Sequence, residues 1–184
     1  NYGTNIGIIG AGVIGSLLIR LLQRHEFNLF VFDPFLSELR AAELGVKTVS
    51  LERLFSECSV VSNHLANNAR TQGMLRYEHF SRLPEGGVFL NTGRGAQVVE
   101  ADLARALAER EDLTAVLDVT WPEPPEAGHP FYTLPGVVLT PHIAGSMGRE
   151  VVRLGRYMLE EYRRYAQGMP CLYEVTAEML ETMA

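Results

Sequence analysis

The sequence predicts an α/β fold, a doubly wound parallel sheet with helices on both faces. Three observations carry this. Short apolar β-like runs alternate along the chain with longer helix-like runs. The apolar runs are bounded by helices, which predicts parallel strands buried on both sides. The first such run passes through a glycine-rich turn directly into a helix, and the right-handed crossover rule extends that unit into an open, doubly wound sheet.

The elements follow in order. "NIGIIG" (5–10) is a buried strand and "VIGSLLIRLLQRH" (13–25) the helix after it. "NLFVFD" (28–33) is the second strand; "LSELRAAELG" (36–45) is a helix with Gly45 as its stop signal. Further strands are "CSVVSNHL" (58–65), "GVFLNT" (87–92), "LTAVLDV" (113–119) and "GVVLT" (136–140). "VEADLARALAER" (99–110) is an amphipathic helix, and a long helix runs over 146–167. After Gly168 the pattern changes to a short tail with room for one last helix. The expected organisation is one domain over 1–168 and a tail over 169–184.

Length and composition bound the function. The chain has 184 residues, 47% of them hydrophobic, enough for one large domain with a core. A net charge of -6 without a dense basic run disfavours a nucleic-acid surface. The longest apolar stretch, "IGIIGAGVIGSLLI", is too short and too glycine-rich to span a membrane, and it has no basic leader. Cys58 and Cys171 form no disulfide framework and read as free thiols of a cytoplasmic protein. His25, His64, His79 and His129 show no metal-ligand spacing, so no metal is expected. No nucleophile elbow or Walker lysine is present.

The glycine turn is chemically specific. Gly10-Ala11-Gly12-Val13-Ile14-Gly15 is a G-x-G-x-x-G pattern in the strand-to-helix context that the pattern requires. Gly10 allows the tight turn, Gly12 lets a pyrophosphate approach the backbone, and Gly15 lets helix and strand pack closely. The amides near Val13 and Ile14 face the phosphates at the positive helix end. Asp33 ends the second strand, where a carboxylate accepts hydrogen bonds from the adenosine ribose hydroxyls. It would repel a 2′-phosphate, so NAD is expected over NADP. The alternative reading is a glycine-rich turn followed by Asp33 as a helix cap before Pro34. His64 ends another strand where the dinucleotide should lie.

Three later stretches add to this: "NTGRG" (91–95), "LDVTWPEPP" (117–125) and "TPHIAGS" (140–146). In this order, downstream of the glycine turn, they closely resemble the D-isomer-specific 2-hydroxyacid dehydrogenases, over nearly the whole chain. The resemblance implies a Rossmann-type NAD-binding domain that, in the family, is inserted into a substrate domain. The abrupt start "NYGTNIGIIG" fits the inserted domain alone, with the tail as a remnant of the return to the substrate domain.

The family also implies roles. Arg94 matches the substrate arginine, whose planar fork grips a carboxylate and polarises the keto oxygen. His142 matches the acid/base, an imidazole suited to proton transfer near neutrality. Glu123 matches its partner carboxylate, which orients the ring. Asp118 matches the acid near the nicotinamide carboxamide, and Thr92 and Gly93 border the cofactor through backbone. On their own these residues read as a loop arginine, a turn histidine and loop or strand-end acids. One loop departs from the family: where proline and threonine are usual after "SNHL", this chain has "ANNART", with Ala66 and Asn68. The function implied is hydride transfer between NAD(H) and a D-2-hydroxy acid or 2-keto acid, in a homodimer. The alternative is an NAD-sensing scaffold, because the C-terminal-binding-protein corepressors share this fold and similar residues.

Overall fold

The computed structural model describes residues 2–181. Over these, seven strands form one sheet, every pair parallel, in the order β3-β2-β1-β4-β5-β6-β7. The strands are β1 (Asn5–Ile9), β2 (Asn28–Phe32), β3 (Lys47–Thr48), β4 (Val60–Asn63), β5 (Val88–Asn91), β6 (Thr114–Leu117) and β7 (Val137–Leu139). The helices are α1 (Val13–Leu22), α2 (Glu38–Glu43), α3 (Leu51–Glu57), α4 (Tyr77–Phe80), α5 (Glu100–Glu109) and α6 (Arg149–Ala166). This is the predicted doubly wound α/β fold. The chain moves outward from β1 through β2 to β3, then returns to the other side of β1 at β4. That reversal leaves a crevice at the carboxyl ends of β1 and β4.

Alternation along the strands divides the core. Ile6 and Ile8 of β1 and Leu29 and Val31 of β2 pack with Ile19 of α1 and with Leu44. Ile9 and Phe30 belong to the larger cluster with Leu54 and Phe55 of α3, Phe80, Phe89 and Leu103. Neighbouring residues of one strand thus enter different clusters, as the two-residue period of a strand requires when both faces are covered.

Three elements go beyond the sequence prediction. α3 carries a clear signal: Ser50 caps it by accepting from the Arg53 amide, and Leu51, Leu54 and Phe55 are buried at helical spacing. β3 has two exposed residues on the sheet edge and α4 is a single turn, too short for periodicity to register.

α6 is amphipathic, yet none of its residues is buried; Val151, Val152, Leu154, Met158, Leu159 and Tyr162 are exposed. The tail folds back on it, with Glu161 accepting from the amides of Leu172 and Tyr173. Within the tail a single 3-10 turn, Met179–Glu181, stands where a last helix has room. Residues 182–184 of that tail lie outside the described residues. No described helix is long and apolar enough to cross a membrane.

Candidate active site and cofactor cleft

All seven strands are parallel, so the loops after them share one edge of the sheet. Asp33 follows β2, Gly10 follows β1, His64 follows β4, Arg94 lies beyond β5, Asp118 and Glu123 beyond β6, and His142 beyond β7. Residues scattered over more than a hundred positions are collected there by topology alone.

The first cleft has a volume of about 770 Å³ and is lined by Gly10 to Ile14, Asp33 to Leu36, His64 to Ala66, and Arg40, Asn68 and Arg70 among others. Its floor is the glycine turn. Gly10 adopts φ of 89°, open to glycine and few others, and a Cβ there would lie 2.7 Å from the His64 carbonyl oxygen. A Cβ on Gly15 would lie 2.0 Å from the Gly10 oxygen, so only glycine lets α1 start this close to β1. Gly12 is different: a Cβ there meets nothing within 4 Å. It faces the cleft at the first turn of α1, which no side chain caps and which holds no acidic residue. Open space, uncapped amides and a helix N-terminus suit a pyrophosphate.

Asp33 lies on the same cleft. Its Oδ2 accepts from the Ala11 amide at 2.7 Å and its Oδ1 from the Phe35 amide at 2.8 Å. The carboxylate therefore pins the glycine turn to the β2–α2 loop while each oxygen keeps a lone pair for a ribose hydroxyl. These features together fit a dinucleotide. The His64 ring is drawn to Ser62, its Nε2 2.8 Å from the Ser62 hydroxyl, and burial lowers its pKa. The "ANNART" loop closes the other wall through Ala66, Asn68, Arg70 and Thr71. Thr71 donates to the Ala66 carbonyl at 2.6 Å, a brace of a different kind from a proline.

The second cleft, of about 420 Å³, is lined by Asp118, Thr120, Glu123, Pro124, Tyr132 and His142 among others. His142 Nδ1 is 2.6 Å from Glu123 Oε1. The carboxylate can only accept, so the Nδ1–H group points at Glu123 and Nε2 is left to face a ligand. His142 sits at φ of 53°, in the left-handed region. Asp118 holds it there, accepting from the Ile143 and Ala144 amides, each at 2.8 Å, and from the Thr140 hydroxyl. Burial works to raise the Asp118 carboxyl, but these hydrogen bonds outweigh it and the group lies below its ordinary value. Asp118 is thus the anchor of the His142 loop, a strand-end acid capping a turn.

Glu123 stands on a braced loop. Thr120 Oγ1 donates to the Pro122 carbonyl at 2.9 Å and Tyr132 to that of Pro125 at 3.0 Å. At its base the Trp121 amide donates to Glu100 Oε1 at 2.7 Å, with His129 Nε2 3.4 Å from Glu100 Oε2. Burial pushes the Glu100 carboxyl up to about 6.

Arg94 is exposed, and its guanidinium donates to the Gly93 carbonyl at 2.7 Å. It lines neither cleft, nor do Thr92 and Gly93. Its loop nonetheless abuts the second: a Cβ on Gly95 would lie 2.1 Å from the Thr120 carbonyl carbon. Neighbouring strands are about 4.8 Å apart, so β5 and β7 are separated by about 10 Å. Residues the sequence reading missed surround Arg94. Asn63, Asn91 and Gln97 are buried amides near it, with Asn63 Nδ2 donating to both Asn91 Oδ1 and Gln97 Oε1.

A family model for "D-isomer specific 2-hydroxyacid dehydrogenase, NAD binding domain" matches residues 1–144. D-3-phosphoglycerate dehydrogenase of Archaeoglobus fulgidus is 32% identical over 97% of this chain and 34% of its own. Among solved structures, holo D-mandelate dehydrogenase of Rhodotorula graminis aligns with a TM-score of 0.83 at 26% identity, over 95% of this chain and 51% of that one. An NADPH-dependent glyoxylate/hydroxypyruvate reductase of Sinorhizobium meliloti, in complex with NADP, aligns with a TM-score of 0.79 at 28% identity, over 94% and 55%. The chain therefore spans about a third of the curated relative and about half of the solved ones.

Proposed function

The chain belongs to the D-isomer-specific 2-hydroxyacid dehydrogenase family as its NAD-binding domain, and on that premise we propose that the whole protein interconverts a 2-keto acid and its D-2-hydroxy acid. The observation that carries this reading is the 2.6 Å pair of His142 and Glu123 at the carboxyl edge of the sheet.

The first cleft holds the dinucleotide, with Gly12, Val13 and Ile14 at its pyrophosphate and Asp33 at its adenosine ribose. The Asp33 carboxylate favours NAD over NADP. When bound, the reduced nicotinamide supplies the hydride. Arg94 leaves the Gly93 carbonyl to grip the substrate carboxylate and polarise the keto oxygen. His142 gives the proton at Nε2 to that oxygen, and Glu123 stabilises the ring while it is charged. Asp118 keeps the His142 loop in place, and its neighbourhood receives the carboxamide end of the cofactor. Thr92 and Gly93 supply backbone beside it, and His64 borders it.

The apolar face of α6 supports a homodimer, since a large exposed apolar patch is unusual for a monomer. Residues 1–168 act as the dinucleotide-binding unit and the tail leads toward a substrate domain. We place the protein in the cytoplasm, consistent with Cys58 and Cys171 being free thiols.

The test is NADH consumption by the whole protein on a panel of 2-keto acids. Turnover of at least one of them is expected. NADH binding with no turnover across the panel would favour a nucleotide-sensing scaffold instead.

A further inference from the structure

Gln97 is fully buried, and its amide is saturated. Nε2 donates to the carbonyls of Leu65 at 2.8 Å and Ala66 at 3.0 Å. Oε1 accepts from Asn63 Nδ2 at 2.6 Å and from the Arg94 amide at 3.2 Å. The amide's orientation follows from the network: a flip would set its NH₂ against two donors and its oxygen against two carbonyls.

These four partners belong to different parts of the site. Leu65 and Ala66 line the dinucleotide cleft. Asn63 ends β4, and Arg94 begins the turn after β5. Asn91, in register with Asn63 across β4 and β5, completes the cluster. Its Oδ1 accepts from Asn63 Nδ2 at 3.0 Å and from the Gly93 amide at 3.1 Å, and its Nδ2 donates to the Arg94 carbonyl at 3.2 Å. Gly93 packs directly on this cluster: a Cβ there would lie 3.0 Å from Gln97 Oε1 and 3.2 Å from Asn63 Nδ2. Arg94 is thus fixed at its N–H and its C=O, while its guanidinium, with one bond to Gly93, stays exposed. The backbone is held and the working end is free.

An all-apolar plug would fill this space without hydrogen-bond demands. A buried, fully satisfied amide network instead specifies geometry, because each member is right in one arrangement only. We propose that Gln97 is a positioning residue that ties the cofactor cleft to Arg94, so that the arginine is set for the 2-keto acid in register with the bound dinucleotide. This rests on the reading of Arg94 as the substrate arginine. Gln97 touches neither substrate nor cofactor; it acts through the peptide of Arg94 on one side and the Leu65–Ala66 peptide groups on the other.

The experiment compares wild type, Gln97→Met, Arg94→Ala and the double variant in the whole protein, by steady-state kinetics and NADH titration. Gln97→Met should raise KM for the 2-keto acid or lower kcat/KM on the order of 10-fold or more, as small misplacements of a catalytic group do. NADH affinity should stay within about threefold, because the groups that hold the dinucleotide are intact, and the double variant should fall no further than Arg94→Ala alone. Gln97→Asn, which keeps the amide but is one methylene too short to span all four partners, serves where Gln97→Met does not fold, and the same pattern is expected of it. Kinetics within twofold of wild type would overturn the inference. So would effects of Gln97 and Arg94 that multiply, or NADH binding lost in step with activity, since either describes a residue that merely supports the fold. An Arg94→Ala protein as active as wild type would overturn the assignment of Arg94 itself, and this inference with it.

Discussion

In the proposed reading, Asp33 serves structure and ligand together. Its two oxygens already hold the Ala11 and Phe35 amides, so Asp33→Ala removes a brace of the glycine turn as well as a ribose contact. NAD binding should weaken by about 1–3 kcal/mol, the usual cost of leaving such groups unpaired, and the preference over NADP should narrow. Calorimetry that found NADP bound as tightly as NAD by the unmutated chain would defeat this reading. Glu100 gives a pH prediction of unusual sign. Burial raises its carboxyl from 4.5 to about 6. The folded chain then binds a proton that the unfolded chain has lost, so this group favours folding below pH 4.5 and the benefit disappears as pH rises through 6. Gln does not titrate, so the margin of Glu100→Gln over wild type should grow by up to about 2 kcal/mol between pH 4.5 and 7. Denaturant melts at the two pH values measure it, and a constant margin contradicts the assignment. Gly10, Gly15, Asp33 and the residues that became the His142–Glu123 pair were legible because each sits in a short, ordered pattern. Asn63, Asn91 and Gln97 were not, because nothing in "VVSN", "VFLN" or "GAQVV" says that these ends meet. Only the β4–β5 register brings Asn63 opposite Asn91.

At the scale of elements, the strands that form the sheet's middle were readable because burial on both faces makes them nearly continuous apolar runs. β3 was not, since Lys47 and Thr48 lie exposed on the edge. α3 has its cap at Ser50 and its apolar spacing in plain view, but its seven residues are shorter than the window over which helical periodicity stands out. α6 was readable from its length and amphipathic pattern, but the absence of a buried residue on it is visible only in three dimensions. That bare face predicts self-association. Light scattering on the chain should give a dimer mass, and replacing Leu154 and Met158 with Glu should shift it toward the monomer. A monomer mass for the unmutated chain at high concentration would count against a dimer built on this face.

At the scale of the molecule, seven parallel strands bring the dinucleotide cleft, the Arg94 loop and the His142–Glu123 pair to one edge. Side chains of the pair are 46% and 40% exposed, so water reaches the site in this chain. Hydride transfer depends on reactants held in near-attack geometry. The 184-residue chain by itself should therefore bind NADH yet consume it negligibly with 2-keto acids. Robust NADH oxidation by the chain alone would mean that it positions the substrate unaided. In the proposed mechanism His142 is the proton donor opposite the hydride. Single-turnover NADH oxidation by the whole protein, with a 2-keto acid that it turns over, compares wild type with His142→Ala. The predicted result is a rate lower by roughly 10²–10⁴-fold, the usual contribution of a positioned acid, with NADH affinity unchanged. An undiminished rate in His142→Ala would contradict the account at its centre.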